Sequence, residues 1–201
     1  MALPFVFLVC ALLPRSASAA ETNSVRQVGP GIYEIGLVRV DAIKRQLTIP
    51  TQVNMLEGPI EYVLVSAIGK LHESIFKTDA QPVHIHTAAL LLLKEPIKTN
   101  EFPKIRVSVE LPSGKNASAD SLILDVNRQK RLLDGDWQYL GSRMVEGTFI
   151  AQRDGSILSI IADPDSLMQT GRISADDDDR WRPAKTDLPP IGAPVKLTLQ
   201  F

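Results

Sequence analysis

The sequence predicts an α+β protein, in which a mainly antiparallel β-sheet has one principal helix packed against it. Three observations lead to this fold class. Most apolar segments are short and alternate with polar residues, turn signals containing glycine or proline separate them, and one longer apolar segment has the limits of a helix. We expect a single domain over residues 21–201, because about 180 residues can bury a core of ordinary size.

The clearest predicted strand is Lys104–Leu111, in which Ile105, Val107 and Val109 share one face of the sheet. The segment after it, Pro112–Lys115, has the composition of a turn. The other predicted strands cover residues 32–40, 45–53, 60–68, 121–126 and 195–201. Together these segments would form most of the antiparallel sheet.

A β-hairpin is predicted over Gly147–Ala162. Its centre, Asp154-Gly155, matches the two-residue loop of a type I′ turn, and the resulting register would place Phe149 opposite Ile160. This hairpin would add two antiparallel strands to the sheet.

A polar segment over residues 169–190 is predicted to form an irregular surface loop. Trp181 lies within it, and the other tryptophan, Trp137, lies before it. Both have charged neighbours in the sequence, so we expect both rings to be partly exposed at the edge of the core.

One segment has the pattern of a helix. Pro82 suits the first helical position, and the apolar residues after it run on to Pro96, which cannot continue a helix. On this helix His84 and His86 would lie about 200° apart, so they should not bind one metal ion together. His86 shares a face with Leu90 and is expected to point toward the core.

The first twenty residues have the layout of a secretory signal. An apolar run over residues 2–13 is followed by small residues over 17–20, at which signal peptidase can cleave. We therefore expect a signal peptide over residues 1–20 and a periplasmic or extracellular mature protein. The only cysteine, Cys10, would leave with this peptide. The mature chain would then have no disulfide, no thiolate nucleophile and no iron–sulfur cluster.

The charge of the mature chain does not indicate a nucleic-acid or membrane-surface partner. The full chain has 22 Lys and Arg against 23 Asp and Glu, and removing Arg15 with the signal leaves 21 against 23. No other apolar stretch is long enough to span a bilayer, so we expect a soluble mature protein without a transmembrane segment. No cofactor is expected. A small ligand or another envelope protein is the expected partner.

All three histidines of the chain lie in one short segment, KLHESIFKTDAQPVHIH, over residues 70–86. A second predicted hairpin, turning at residues 68–69, would place Glu73 on an apolar strand face and His72 and Ser74 on the other. An ionised carboxylate on an apolar face needs a partner. The alternative is an edge strand on which Glu73 reaches water.

The same residues are the candidates for a metal site or a catalytic site. His72, Glu73 and His86 could bind a metal only if the helix start docked over the hairpin, and no H-E-x-x-H motif is present. Ser74 is the candidate nucleophile of a triad, but the chain has no G-x-S-x-G elbow. The acidic segments 163–165 and 176–179 lack the glycine and distal glutamate of an EF-hand calcium loop.

Several strings resemble the YdjY-type domain of exported bacterial proteins: EYVLVSAIGKLHESIF, HTAALLLL, WQYLGSRMVEGTFIAQRDGSILSIIADPDSL and LPPIGAPVKLTL. The resemblance extends from about residue 35 to residue 201. Its matching features are His72-Glu73-Ser74, His86, Gly141-Ser142, Asp154-Gly155, and Asp179 with Trp181. The family is functionally uncharacterised, so the resemblance implies no mechanism. It does imply that the H-E-S segment and His86 belong to one feature.

Three hypotheses about function follow. The leading one is an exported, soluble module that binds a ligand or partner and has no catalytic activity. The second is a hydrolase or metal-dependent enzyme that uses Glu73 as acid or base, with His72 and His86 orienting substrate or metal. The third is a structural envelope protein in which His, Glu and Ser side chains form a buried hydrogen-bond network.

Overall fold

The computed structural model describes residues 25–93, 95–97, 101–133, 135–171 and 178–201. The predicted signal peptide, with Cys10, lies outside these ranges, and so do residues 176 and 177 of the acidic run over residues 176–179.

The described residues form strands, two α-helices and several short 3₁₀ turns. The helices are α1 (Pro82–Leu92) and α2 (Ile150–Asp154). The strands are β1 (Val25–Gly29), β2 (Ile32–Ile35), β3 (Val38–Asp41), β4 (Gln46–Val53), β5 (Tyr62–Ser66), β6 (Ser74–Thr78), β7 (Lys104–Glu110), β8 (Asn116–Ser118), β9 (Ile123–Asp125), β10 (Lys130–Arg131), β11 (Trp137–Tyr139), β12 (Met144–Val145), β13 (Thr148–Phe149), β14 (Ser156–Ser159), β15 (Met168–Thr170), β16 (Trp181–Pro183) and β17 (Pro194–Gln200).

Eight of the strands close into a β-barrel. Their order is β4, β17, β7, β11, β15, β14, β5 and β6, and β6 pairs again with β4. Most neighbours are antiparallel, whereas the pairs β14–β15 and β5–β6 are parallel. Strands β1, β2 and β3 form an antiparallel meander that continues from β4.

The prediction of an α+β sheet with one helix packed against it is therefore wrong. In a closed barrel the inward side chains of all the strands bury one another, so no helical layer is required to cover the sheet. Alternate residues such as Val107 and Val109 of β7 and Leu197 and Leu199 of β17 are buried in this way. An alternating pattern looks the same in a barrel wall and in an open sheet with one covered face, and it does not predict closure.

Several individual elements match their predictions. Strands β4, β7 and β17 lie where expected, and β7 has the predicted inward face. Helix α1 begins at Pro82, as predicted, and ends at Leu92. It contacts the β2–β4 meander and α2. In the described part of the chain, no helix is both long and apolar enough to cross a membrane.

The predicted hairpin over residues 60–76 is wrong, because β5 and β6 run parallel. Tyr62 pairs with Ser74, and Leu64 pairs with Phe76. All five residues of β5 are buried, as is usual for a parallel strand covered on both faces. The connection between the two strands contains a 3₁₀ turn over Leu71–Glu73. His72 and Glu73 thus lie outside the strand to which the hairpin assigned them.

The predicted hairpin over Gly147–Ala162 is wrong as well. The residues before Asp154 form α2, and Gly155 ends that helix in the left-handed conformation, with φ of 72°. A two-residue hairpin loop does occur nearby, at Glu146-Gly147, where both φ angles are positive and Met144 pairs with Phe149. An Asp-Gly pair suits a helix end as well as a hairpin turn, and the apolar packing of α2 decides between them.

Both tryptophans are buried, contrary to the prediction of partly exposed rings. Trp137 Nε1 lies 3.3 Å from Oδ2 of the buried Asp120 and donates to it. The Arg180 guanidinium lies 4.8 Å from the centroid of the Trp181 ring and forms two hydrogen bonds with the carboxylate of Asp125. The charged groups near both rings are thus paired within the fold.

Candidate functional site

The H-E-S segment lies at the edge of a polar cleft of about 570 Å³. The cleft opens between the β5–β6 connection, the end of α2 and the segment after β14. Its lining residues are Tyr62, Ile68, Gly69, Lys70, His72, Arg153, Asp154, Ser156, Asp163 and Asp165.

The three residues of the segment have different environments. The side chain of His72 is 77% exposed and lines the cleft. Glu73 is half-buried, with Oε1 3.6 Å from His72 Nε2, which is longer than a hydrogen bond. Ser74 is fully buried, and its hydroxyl donates to the carbonyl of Lys70 at 2.6 Å. Ser74 is therefore not presented as a nucleophile.

Two glycines allow the walls of the cleft to approach each other. A Cβ on Gly155 would lie 2.5 Å from Ser66 Oγ and 2.6 Å from the backbone nitrogen of Gly69. A Cβ on Gly69 would lie 2.7 Å from Cβ of Val65. Ser66 also donates its backbone N–H to the Gly155 carbonyl at 2.8 Å. Any larger residue at either glycine would push the β5–β6 connection away from α2.

Lys70 is the central cation of the cleft. Its ammonium donates to Glu61 Oε2 at 2.6 Å, lies 3.5 Å from Glu73 Oε2, and stands 5.4 Å from the centroid of the Tyr62 ring. Burial works against the charged form of Lys70. The hydrogen bond to Glu61 and the surrounding negative groups outweigh burial and raise its pKa. Lys70 remains charged at neutral pH.

Tyr62 and Asp163 form a second polar pair. The Tyr62 hydroxyl donates to Asp163 Oδ2 at 2.9 Å. Burial, followed by the negative charge of Asp163, raises the pKa of Tyr62. The other carboxylate oxygen of Asp163 accepts the backbone N–H of Asp165 at 2.9 Å. Tyr62 is thus a neutral hydrogen-bond donor that fixes the orientation of this carboxylate.

Two arginines hold the remaining carboxylates. Arg153 donates to both oxygens of Asp154, and this hydrogen-bonded contact lowers the pKa of the Asp154 carboxyl. Arg143 donates to both oxygens of Asp165. Bidentate pairs of this kind fix the plane of the carboxylate as well as its position.

Some polar atoms near the cleft have no hydrogen-bond partner. These atoms are Ser66 Oγ, beneath Gly155, and Glu73 Oε2, which lies within ion-pair distance of Lys70 but accepts no hydrogen bond. A buried polar atom without a partner costs free energy. Both atoms are buried beneath the cleft, and neither residue lines it.

His86 belongs to a separate cluster behind the cleft. The hydroxyl of the buried Tyr139 lies 2.7 Å from His86 Nδ1, and the His86 and Phe149 rings are 5.0 Å apart. Burial lowers the pKa of His86 and raises that of Tyr139, so both groups are neutral, and the imidazole tautomer decides which of them donates. In the part of the chain that the structure describes, no hydrogen bond or ion pair joins His86 to Glu73. The interpretation that these two residues form one feature is not supported by contact.

The two helix histidines point to different surroundings, as the helical spacing predicts. His84 is buried, and its Nδ1 would be 2.2 Å from a Cβ on Gly36. The prediction that His86 points to the core beside Leu90 is wrong in part, because His84 is the more buried and Leu90 is 49% exposed. The predicted helix face included Leu90, which lies on the uncovered side of α1.

The predicted metal ligands do not converge. His72 and Glu73 lie at the cleft, whereas His86 packs on Tyr139 and Phe149. Over the described ranges, no three His, Cys, Asp or Glu side chains come together in a group that could bind a metal ion. Of the acidic segments, Asp163 and Asp165 are held by Tyr62 and Arg143, and residues 176 and 177 lie outside the described chain.

Four residues that define the cleft are not among the candidates predicted from the sequence, namely Tyr62, Lys70, Arg153 and Asp163. Lys70 lies two positions before His72, so its position is a usable signal. The pair of Tyr62 and Asp163 is separated by 101 positions, and no local pattern connects two such residues.

A second depression, of about 700 Å³, lies on another part of the surface. Pro50, Pro112 and Pro194 contribute to its lining, and the ion pair between Lys196 and Glu110 stands beside it, with a distance of 3.0 Å. The four predicted site residues do not line it. It therefore offers matched control positions for the cleft.

Comparison with known proteins assigns no family to the chain. No protein-family model matches it, and no curated protein or solved structure matches it. The cleft must therefore be interpreted from its own geometry.

Proposed function

We propose that this chain is an exported ligand-binding module without catalytic activity, and that it takes a small polar molecule in the cleft around Lys70. The observation that carries the proposal is the concentration of oriented donors and acceptors in one depression of the barrel surface. Lys70 and Arg153 supply donors, Asp154 and Asp163 supply acceptors, and Tyr62 fixes the orientation of Asp163. Ligand sites are concave and have a few polar groups fixed by their neighbours, as this cleft does.

Export is proposed on the signal-like residues 1–20. Membership of the YdjY-type family is proposed on the strings quoted above. Two of the matching features support this proposal by their positions in the fold. His72 lines the cleft, and Asp154-Gly155 forms the opposite wall. These matching features thus lie on one side of the protein.

The hydrolase hypothesis has one observation in its favour, since His72 opens onto a cleft beside Glu73. Three observations favour binding instead. Ser74 is buried and donates to a backbone carbonyl, His86 lies behind the cleft, and His72 Nε2 is 3.6 Å from Glu73 Oε1. General acid–base catalysis needs a base held within hydrogen-bond reach of the group it serves.

The structural hypothesis requires one buried network of His, Glu and Ser side chains. His72 is instead exposed, and the hydroxyl of Ser74 bonds to backbone. Polar side chains that serve only to hold a fold are normally satisfied by one another. Glu73 Oε2 and Ser66 Oγ are not, so no complete network of this kind is present here.

Nuclear magnetic resonance (NMR) mapping with a panel of small polar molecules tests the proposal. We expect at least one molecule to shift backbone signals around Lys70, Asp154 and Asp163 in a saturable way. Lys70→Met should weaken that binding, whereas Lys196→Met should not. Both lysines pair with a glutamate and are half-exposed, with side-chain exposures of 49% and 59%. Binding that is unchanged in Lys70→Met, or no shift at the cleft with any probe, would refute the proposal.

A further inference from the structure

We propose that the ligand of this cleft is a neutral polyhydroxylated molecule, of the kind that a sugar ring presents. The inference rests on the proposed function and goes beyond it by naming the ligand class. It follows from how the charges of the cleft are already compensated, and from which hydrogen-bonding capacity is left over.

The charged groups of the cleft already have partners. Lys70 pairs with Glu61, Arg153 with Asp154, and Arg143 with Asp165. An anionic ligand would meet these carboxylates, and a cationic ligand would meet the ammonium and guanidinium groups. Either charge would lose hydration and find a like charge within the same depression. Asp163 is the exception, because the Tyr62 hydroxyl and a backbone N–H hold its carboxylate in place of a cation. The arrangement therefore disfavours an anionic ligand most, and a cationic ligand would have to lose hydration beside Lys70 and Arg153.

The cleft retains unused hydrogen-bond donors and unused hydrogen-bond acceptors. An ammonium has three N–H donors, and only one hydrogen bond, to Glu61, is formed by Lys70. Each oxygen of Asp163 accepts one hydrogen bond, which leaves about half of the lone pairs of that carboxylate. A hydroxyl group can donate and accept, so neighbouring hydroxyls can use spare acceptors and spare donors together.

The cleft also has an apolar contribution. Ile68 lines it and is 67% exposed, so its side chain is accessible from the cleft. A sugar ring has a C–H face as well as hydroxyls, and contact with that face would cover Ile68. A strongly charged small molecule has no comparable apolar surface.

Titration of the protein with three sets of probes tests the inference. The probes are neutral sugars (glucose, galactose, N-acetylglucosamine and trehalose), spermidine as a cation, and citrate as an anion. We expect a sugar to bind, with cleft NMR signals shifting and with an affinity that added salt does not change, because a neutral ligand has no charge to screen. Asp163→Asn and Arg153→Met should each weaken it about tenfold or more, as loss of a hydrogen bond to a charged group does. Glu110→Gln, beside the second depression, should leave it unchanged.

The outcomes separate this inference from the proposed function. If spermidine or citrate binds in the cleft and none of the sugars does, the inference of a polyhydroxylated ligand is wrong. The proposal of a ligand-binding module would still hold. Sugar binding that Asp163→Asn and Arg153→Met both leave unchanged would place the sugar elsewhere and overturn the inference too. If no probe shifts a cleft signal, both proposals are contradicted.

Discussion

The cleft and the cluster of His86, Tyr139 and Phe149 use ionisable side chains in opposite ways. In the cleft, Lys70 and its neighbours are charged, paired and partly exposed to water. In the cluster, burial keeps His86 and Tyr139 neutral, and a hydrogen bond joins the Tyr139 hydroxyl to His86 Nδ1. Exposure to solvent therefore decides whether an ionisable side chain is able to bind a ligand or only stabilises the fold.

Helix α2 joins the two regions. Phe149, which precedes the helix, packs against His86, whereas Arg153 and Asp154 at its end line the cleft. The first turn of α1 is fixed to the same helix, because the backbone N–H of Val83 donates to Gln152 Oε1 at 3.1 Å. We infer that the neutral cluster sets the position of α2, and that α2 sets the shape of the cleft.

Gly155→Ala should have the largest effect on stability, because Gly155 lies at the end of α2, the helix that joins the two regions. The new Cβ would lie within 2.7 Å of Ser66 Oγ and of the Gly69 backbone, at a φ of 72°. We expect a loss of about 3 kcal/mol or more in the free energy of unfolding, from backbone strain and forced displacement together. Urea unfolding measures it.

Gly114→Ala is the matched control for that substitution. Gly114 has a φ of 79°, and a Cβ there would meet nothing within 4 Å. Only the cost of the left-handed conformation should remain, about 1 kcal/mol. Equal losses for the two variants would mean that the close approach of Gly69 and Gly155 does not limit the size of residue 155. The two glycines would then not be required for the walls of the cleft to approach each other.

Tyr139→Phe should have the next largest effect, and it tests the neutral cluster. The substitution keeps the buried ring and removes the hydroxyl that lies 2.7 Å from His86 Nδ1. A half-buried ring nitrogen is then left without its partner, and we expect a loss of about 2 kcal/mol in the free energy of unfolding. Chemical unfolding at neutral pH checks this, and a loss below the error of the measurement would contradict the hydrogen bond.

The pH dependence of stability should separate the cluster from the cleft. Burial lowers the pKa of His86 in the folded protein, so folding favours the neutral imidazole. The stabilisation is present above the unfolded pKa of about 6.5 and is lost as pH falls through the folded pKa. We expect His86→Phe to reduce the fall in unfolding free energy from pH 7 toward pH 5.

The difference between the two pH curves isolates His86, because the carboxylates titrate in both proteins. A difference curve that is flat over this range would show that His86 has the same pKa in the folded and unfolded chains. That result would contradict the assignment of a neutral cluster.

The sequence predicts strands well wherever alternation and burial agree, as they do in β7 and β17. It does not predict the closure of the barrel, because closure depends on the pairing of β4 with β6, which the local pattern does not contain. The parallel course of β5 and β6 is also missed. The turn signal at Ile68-Gly69 predicts a hairpin, whereas these residues begin a connection that returns to the same end of the sheet.

The site was predictable only in part. The H-E-S segment marks one wall of the cleft, and helical spacing correctly separates His84 from His86. The other walls come from Arg153, Asp154 and Asp163, whose proximity to Lys70 is a consequence of tertiary folding. Glu73 was expected on an apolar strand face, and the 3₁₀ turn instead places it beside a cation.

Lys70→Met should have the smallest effect on stability, smaller than that of Tyr139→Phe in the buried cluster. Lys70 pairs with Glu61 and Glu73, but its side chain is 49% exposed, so water and salt screen much of the attraction. We expect a loss of about 1 kcal/mol or less in the free energy of unfolding, as for other partly exposed ion pairs. Urea unfolding at low and high salt measures it, with Lys196→Met as the control in an exposed pair with Glu110. A loss as large as that of Gly155→Ala would show that Lys70 holds the fold together, and its role would then be structural rather than ligand binding.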